Sequence, residues 1–484
     1  MFIQKLIKTI NEKIEKAGLR ATFQHIPNYF ISSFGTKILS LVSLPILTHF
    51  LSPEEYGLLN IFGTYTIFIS TVFTFNLHSS IVRFYFEKKD QIGSFLFQIV
   101  FIQSFSLMVF LFISYLYRES FSLLLNLPKK TIIFLAPIAL LIASQNWLIF
   151  FLKAKRDSLT IRNYNLIKSH LSFATTIILV YFIIEEKYFG KLFSEIIVLI
   201  FSMYYVSKKI IPYLTYKIDY NQLRFMFSYS IQLIPAYLGG IVLAQIDRVM
   251  ISNYLGNYST GLYSFAYILA SIQSLIATTF FNAWIPDYYN LMNEKKYKKH
   301  DENVLSILRI ITLTGCSLIL FGDLIGKLLS SKDYHDGLYL IPLIVSGVYF
   351  STLTPVYQRN ISYSKRTIWT SVIIIFSGLL NVILNAVFLP KYGIIASAFT
   401  TLVSYFLQLI FTYIVVRYII KIHYTKLYKL LYLTFPIILS SIVYYIFIEI
   451  DDVLSLQIRL VTFIGCVIIL YGLSFYRMLK TINN

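Results

Sequence analysis

Residues 33–63, SFGTKILSLVSLPILTHFLSPEEYGLLNIFG, decide the fold. An apolar run carries one lysine, Lys37, and one proline, Pro45. It closes at an acidic turn, Ser52 to Glu55, after which Gly57 opens a second apolar run. A stretch of about 20 mainly apolar residues spans the roughly 30 Å hydrocarbon core of a bilayer, and only helices or closed barrels satisfy their backbone there. Runs such as 99–116 and 460–472 are apolar on every side rather than on alternate residues, which selects helices. The phrase returns as QIDRVMISNYLGNYSTGLYSFAY at 245–267, where Leu255, Gly261 and Leu262 fall in register with Leu51, Gly57 and Leu58. The chain therefore reads as an internal duplication.

Composition agrees along the whole length. Of 484 residues, 57% are hydrophobic and 13% charged, with a mean hydropathy of +0.68, whereas soluble globular chains carry about 25% charge. The expected fold class is an all-α polytopic membrane protein with about 14 transmembrane helices: two parallel six-helix lobes plus two C-terminal helices. The expected divisions are a cytoplasmic amphipathic segment at 1–28, an N-lobe at 29–223, a C-lobe at 224–422, and two further spans with a tail at 423–484. Within the first of these, Phe2, Ile3, Leu6, Ile7, Ile10 and Ile14 share a helical face opposite lysines, the pattern of a helix lying on a membrane surface.

About three-quarters of the 42 Lys and Arg fall in every second loop when the N-terminus is placed inside, so the positive-inside rule predicts N-in and C-in. This distribution accounts for most of the net charge of +19 and leaves no basic module for nucleic acid. Cys316 and Cys466 lie in apolar runs and read as small hydrophobes. No cofactor or metal is expected: standard metal, hydrolase and nucleotide-binding motifs are missing. Connections are short, the longest at about 286–303, which leaves little room for a catalytic domain. An even number of spans per repeat keeps the two repeats parallel and suits alternating access about a cleft.

Three blocks together resemble the polysaccharide-exporter (Wzx-type oligosaccharide flippase) family of the MOP flippase superfamily. They are PILTHFLSPEEYGLL at 45–59, IDRVMISNYLGNYSTGLYSFAY at 246–267, and LLNVILNAVFLPKYGIIASAFTTLVSY at 379–405, with Asn381, Asn385, Pro390, Gly393 and Ala396 at matching positions. The resemblance covers most of 25–420. It implies a V-shaped pair of lobes around a cationic cavity, and export of an undecaprenyl-diphosphate-linked oligosaccharide from the inner to the outer leaflet of the cell membrane. The repeat unit would belong to O-antigen, capsule or exopolysaccharide. Implied partners are that lipid-linked oligosaccharide, membrane lipids, a polysaccharide polymerase and chain-length machinery. Lipid II flippases and multidrug extruders share the plan and stand as the first alternative. A membrane glycosyltransferase or polymerase is the alternative of another class.

Candidate residues follow from the cost of charge at membrane depth. Lys37 reads as a cavity ammonium for a diphosphate, as paired within the membrane with Asp247, Glu195 or a helix-end carbonyl, or as a side chain reaching inward to the interface. Arg83 matches a family position and suits a headgroup guide or a positive-inside anchor; His78, five residues before it, suits packing better than proton exchange. Gln145 and Asn146, beside Trp147, are candidate glycan contacts. Arg248 is a candidate for the cavity, Asp247 and Glu195 for coupling or gating, and adjacent Asp247 and Arg248 cannot both face one partner on a helix. Asn381 and Asn385, four apart, share a face that can bond a neighbouring helix.

Overall fold

The computed structural model describes residues 20–448 and 452–482; the amphipathic segment at 2–16 lies outside them. The described residues are helical, joined by short turns and 3-10 segments. In chain order the helices are α1 (Arg20–Phe50), α2 (Pro53–Phe73), α3 (Ile81–Glu87), α4 (Ile92–Leu116), α5 (Arg118–Leu125), α6 (Leu135–Ala154), α7 (Ser158–Phe182), α8 (Tyr188–Lys209) and α9 (Tyr220–Ile231). They continue with α10 (Ile234–Asn293), α11 (Tyr297–Leu329), α12 (Ile341–Leu353), α13 (Pro355–Tyr363), α14 (Ile368–Tyr392), α15 (Ile394–Ile414), α16 (Leu427–Tyr432), α17 (Phe435–Phe447) and α18 (Asp452–Ile482).

Among the described residues 13 helical stretches are long and apolar enough to cross a membrane. One of them, Tyr220–Ile285, has 66 residues, about 100 Å of helix and enough for two crossings. Gly256 divides it, at φ 85° and ψ 173°, a conformation that a side chain makes costly. The expected fourteen crossings are thus recovered, with the seventh and eighth joined through a glycine rather than a loop.

Local chemistry fixes the first hairpin. Ser52 Oγ accepts from the Glu55 amide at 3.2 Å, and Glu55 Oε2 accepts from the Ser52 amide at 3.2 Å. With Pro53 in the first helical position, this capping box starts α2. Pro355 likewise starts α13, while Pro342 and Pro436 lie in the first turns of α12 and α17. These prolines mark helix starts rather than kinks.

Two compact units result. Of the described residues, one comprises those up to 43 and 65–234, the other 44–64 and those from 235 onward. In the second unit Thr48 Oγ1 donates to Leu329 O at 3.1 Å, and the Tyr334 hydroxyl donates to Leu51 O at 3.0 Å. The duplicated glycines meet there: a Cβ on Gly57 would strike the Asn257 carbonyl and the Gly261 amide, and one on Gly261 would strike the Pro53 carbonyl. In the first unit α9 is held by Gln222, whose Oε1 accepts from Ser94 Oγ at 3.1 Å and Gln98 Nε2 at 2.7 Å. The Ser79 and Ser230 hydroxyls also bond, at 3.3 Å.

Candidate functional site

In the first unit the chain turns sharply after α2 through left-handed Phe75 and Asn76, passes one 3-10 turn, and enters α3. This places Arg83 beside α9, where Asn221, Arg224, Phe225, Ser228, Tyr229 and Gln232 complete the lining of a pocket of about 410 Å³. Asp219 caps α9 by accepting from the Asn221 and Gln222 amides at 2.8 and 3.3 Å. Arg83 Nε donates to Glu87 Oε1 at 2.7 Å, and that bond raises the guanidinium pKa further above its ordinary value. The Arg83 guanidinium lies 5.3 Å from the Tyr229 ring centre and 5.7 Å from that of Phe225. Its terminal nitrogens have no protein partner among the described residues. Two guanidinium groups, a hydroxyl, amides and an aromatic face make an anion site able to grip phosphate oxygens in bidentate fashion. Arg224 was not a sequence candidate. Its signal was present, an arginine just before span 7, but a positive-inside loop residue has the same signature.

Lys37 is exposed on α1 and has no ion-pair partner among the described residues. Ser33, Thr36, Lys37, Ser40 and Ser43 share one arc of the helix, while Phe30, Phe34, Ile38 and Val42, exposed by 39–49%, occupy the other side. A span with an exposed polar arc opposite an apolar one is what a helix between lipid and water requires. Asn165 Nδ2 donates to Ser32 Oγ at 2.9 Å, and Arg162 Nη1 to Asn28 Oδ1 at 2.9 Å, so polar bonds join α1 to α7.

His78 does not line the Arg83 pocket. It is buried, its ring edge-on to Phe150 at 5.1 Å, and its Nδ1 has no hydrogen-bond partner among the described residues. Gln145 Oε1 accepts from Lys168 Nζ at 3.1 Å. Lys168 is a half-buried lysine inside α7 that was not among the sequence candidates. Asn146 is half-buried, and Trp147 is buried with its indole donating to Gln103, so the expected polar-aromatic cluster points to different neighbours. Glu195 pairs with Lys191 at 2.5 Å, one turn earlier on α8.

In the second unit Asp247 is 1% exposed. Its Oδ2 accepts from the Tyr263 hydroxyl at 2.8 Å and Thr401 Oγ1 at 2.7 Å, and its Oδ1 from Asn385 Nδ2 at 3.0 Å. Asn385 Oδ1 in turn accepts from Ser397 Oγ at 2.7 Å and Thr400 Oγ1 at 2.9 Å. The asparagines of α14 thus tie α10 to α15, and the buried carboxylate is held by hydroxyls and an amide, with no cation bonded to it among the described residues. Arg248 points elsewhere: Nη1 donates to Ala244 O at 2.9 Å, and the guanidinium lies 4.5 Å from the Tyr267 ring centre. It is 6% exposed.

At the start of α11, Asp301 gathers His423 Nε2 at 3.2 Å, Thr425 Oγ1 at 2.9 Å, Lys429 Nζ at 3.0 Å and, at 3.3 Å, His300 Nδ1. His300, Asp301 and His423 present ligand atoms within 4.8 Å of one another, yet the Lys429 ammonium already neutralises the carboxylate and opposes a cation there. Cys316 and Cys466 are buried and free.

Comparison with known proteins adds three findings. A model of the family described as "Polysaccharide biosynthesis protein" matches residues 26–292. Capsular polysaccharide biosynthesis protein CapF of Staphylococcus aureus is 28% identical over 231 residues, 44% of this chain and 55% of that protein. The chain spans about half the length of the first curated relatives it matches. Among solved structures, lipid II flippase MurJ in an inward closed conformation superposes with a TM-score of 0.66 at 18% identity, covering 92% of this chain and 99% of that one. An inward-facing multidrug resistance MATE family transporter of the MOP superfamily gives 0.63 at 14% identity, covering 80% and 94%.

Proposed function

The chain belongs to the polysaccharide biosynthesis protein family, and from that premise we propose that it is a flippase for an undecaprenyl-diphosphate-linked oligosaccharide, moved from the inner to the outer leaflet of the cell membrane. The observation that carries the reading is the pocket of Arg83 and Arg224. A diphosphate is the part of such a lipid that cannot enter hydrocarbon unaided, and paired guanidiniums match its oxygens. With the N- and C-termini inside, this pocket opens at the cytoplasmic end of the first unit, where the substrate is made. Lys37, at membrane depth on a polar arc, is the next cation along the path, and Gln145 with Lys168 adds polar contacts for the glycan.

No covalent step is required of this chain. Alternating access moves the headgroup while the polyprenyl tail stays in lipid, and Asp247 is the carboxylate through which a cation or proton gradient acts on the second unit. Glu195 is already paired to Lys191, which makes it the weaker coupling candidate. The glycan then passes to a polymerase and chain-length machinery.

Reconstitution in proteoliposomes tests the reading. Undecaprenyl-diphosphate oligosaccharide should cross the bilayer, and Arg83→Ala with Arg224→Ala should slow it by about tenfold or more without reducing insertion. Lipid II and cationic drugs in the same vesicles are the comparison substrates. Preferential transport of either would sink the assignment.

A further inference from the structure

The second unit contains another pocket, of about 470 Å³, that the transport path above does not use. Its walls come from the end of α11, the 3-10 segment Lys332–Leu340, the end of α17 and the start of α18. At its base Arg459 Nη1 donates to both carboxylate oxygens of Asp323, at 2.9 and 2.8 Å, and to Leu320 O at 3.2 Å. The guanidinium lies 5.0 Å from the ring centre of Tyr444. Four polar atoms of this lining have no hydrogen-bond partner among the described residues: Arg459 Nε, the Tyr444 hydroxyl, Ser455 Oγ and His335 Nε2. Arg459, Tyr444 and Ser455 are at most 5% exposed, and buried polar groups of native proteins are nearly always paired.

The lining selects a ligand class. Arg459 and Asp323 cancel each other, and Lys327 and Asp336 supply one further charge of each sign, so neither an anion nor a cation is favoured overall. Unpaired hydroxyls, a guanidine N–H and an imidazole nitrogen exclude a purely apolar occupant. They offer donors and acceptors around an aromatic ring, which is the complement of a sugar: hydroxyls at the rim, C–H faces for stacking. The volume lies in the range of small-ligand sites. We propose that this pocket is a binding site for a neutral saccharide ring. It lies at the opposite end of α11 from the lysines at 295–299, hence on the extracytoplasmic side if the proposed topology holds, where the glycan of a translocated lipid would emerge.

Saturation-transfer NMR on the full chain in nanodiscs tests this, with the methyl glycosides of glucose, galactose and N-acetylglucosamine as probes. Glycerol and glucose 6-phosphate serve as controls. At least one glycoside should receive saturation. Tyr444→Phe and Ser455→Ala, which leave the Arg459–Asp323 pair intact, should each weaken it about fivefold, the loss of one hydrogen bond. Unchanged size-exclusion elution and melting certify the fold of each variant. The proposal is overturned if no glycoside binds, if glycerol gives an equal signal, if only the phosphorylated sugar binds, or if both folded variants bind as the parent does. Arg83→Ala should leave the signal unchanged. Since the measurement involves no transport, a chain that binds sugar here yet flips no lipid would keep this site while discarding the transport reading.

Discussion

Lys37 was legible because charge inside an apolar run is rare. Its surroundings were not, since exposure depends on which neighbours cover the helix. On α1 it stands on an exposed polar arc with no ion pair among the described residues, and an unpaired ammonium at membrane depth belongs beside water. Lys37→Ala should therefore lower the initial flipping rate about tenfold with normal membrane insertion, and Lys37→Arg should keep most of it. Asp247 presents a different problem. Asp247→Ala deprives Tyr263, Thr401 and Asn385 of their acceptor and should cost on the order of 1–3 kcal/mol, read as a lower melting temperature. Asp247→Asn can still accept from the hydroxyls. It should melt near the parent yet lose its response to an imposed ion gradient. An Asn variant that still responds would confine Asp247 to a clamp. Arg83 was named from sequence and Arg224 was not, because the two are far apart in the chain and only the folded turn at Phe75–Asn76 brings α3 to α9.

The elements were easier to read than their junctions. Apolar length gave the spans and Ser52-x-x-Glu55 gave the start of α2, because both act within a few residues. The stretch Tyr220–Ile285 was read as two spans with a turn between them, and Gly256, inside α10, explains how one helical stretch turns without a loop. Gly256→Ala should destabilise by about 1 kcal/mol through its positive φ. The duplicated Gly57 and Gly261 were visible as a repeat, but their contact was not, since a repeat states similarity and says nothing of proximity. Gly261→Ala should be more damaging than Gly256→Ala, by an overpacking cost of about 1–3 kcal/mol. Thermal melting of the two variants in one detergent compares them directly.

Across the whole molecule, charge asymmetry between alternate loops predicts an orientation, and one such loop carries a polar knot that holds helix ends together. The knot at Asp301 includes His423, in the loop between α15 and α16. Burial, partly offset by the bond to Asp301, lowers its pKa below the ordinary 6.5. The folded form thus binds the proton less readily than the unfolded chain. Between pH 6.5 and the lower folded value the unfolded state holds more protons, so stability falls as pH is lowered through that window. Melting temperatures across pH 7.5 to 5, as about the accessible range, should drop on the acid side. His423→Gln should flatten that part of the profile.

The repeat of 33–63, the spans, the positive-inside pattern and the charges Lys37 and Asp247 inside apolar runs are properties of the sequence alone. Each rests on the transfer cost of a residue into hydrocarbon, which depends on its own chemistry and that of near neighbours along the chain. The pairing of Arg83 with Arg224, the hydroxyl cage around Asp247 and the pocket over Arg459 required the tertiary structure. They unite residues on separate helices, and which faces of those helices meet is set by packing across the bundle, not by any local preference.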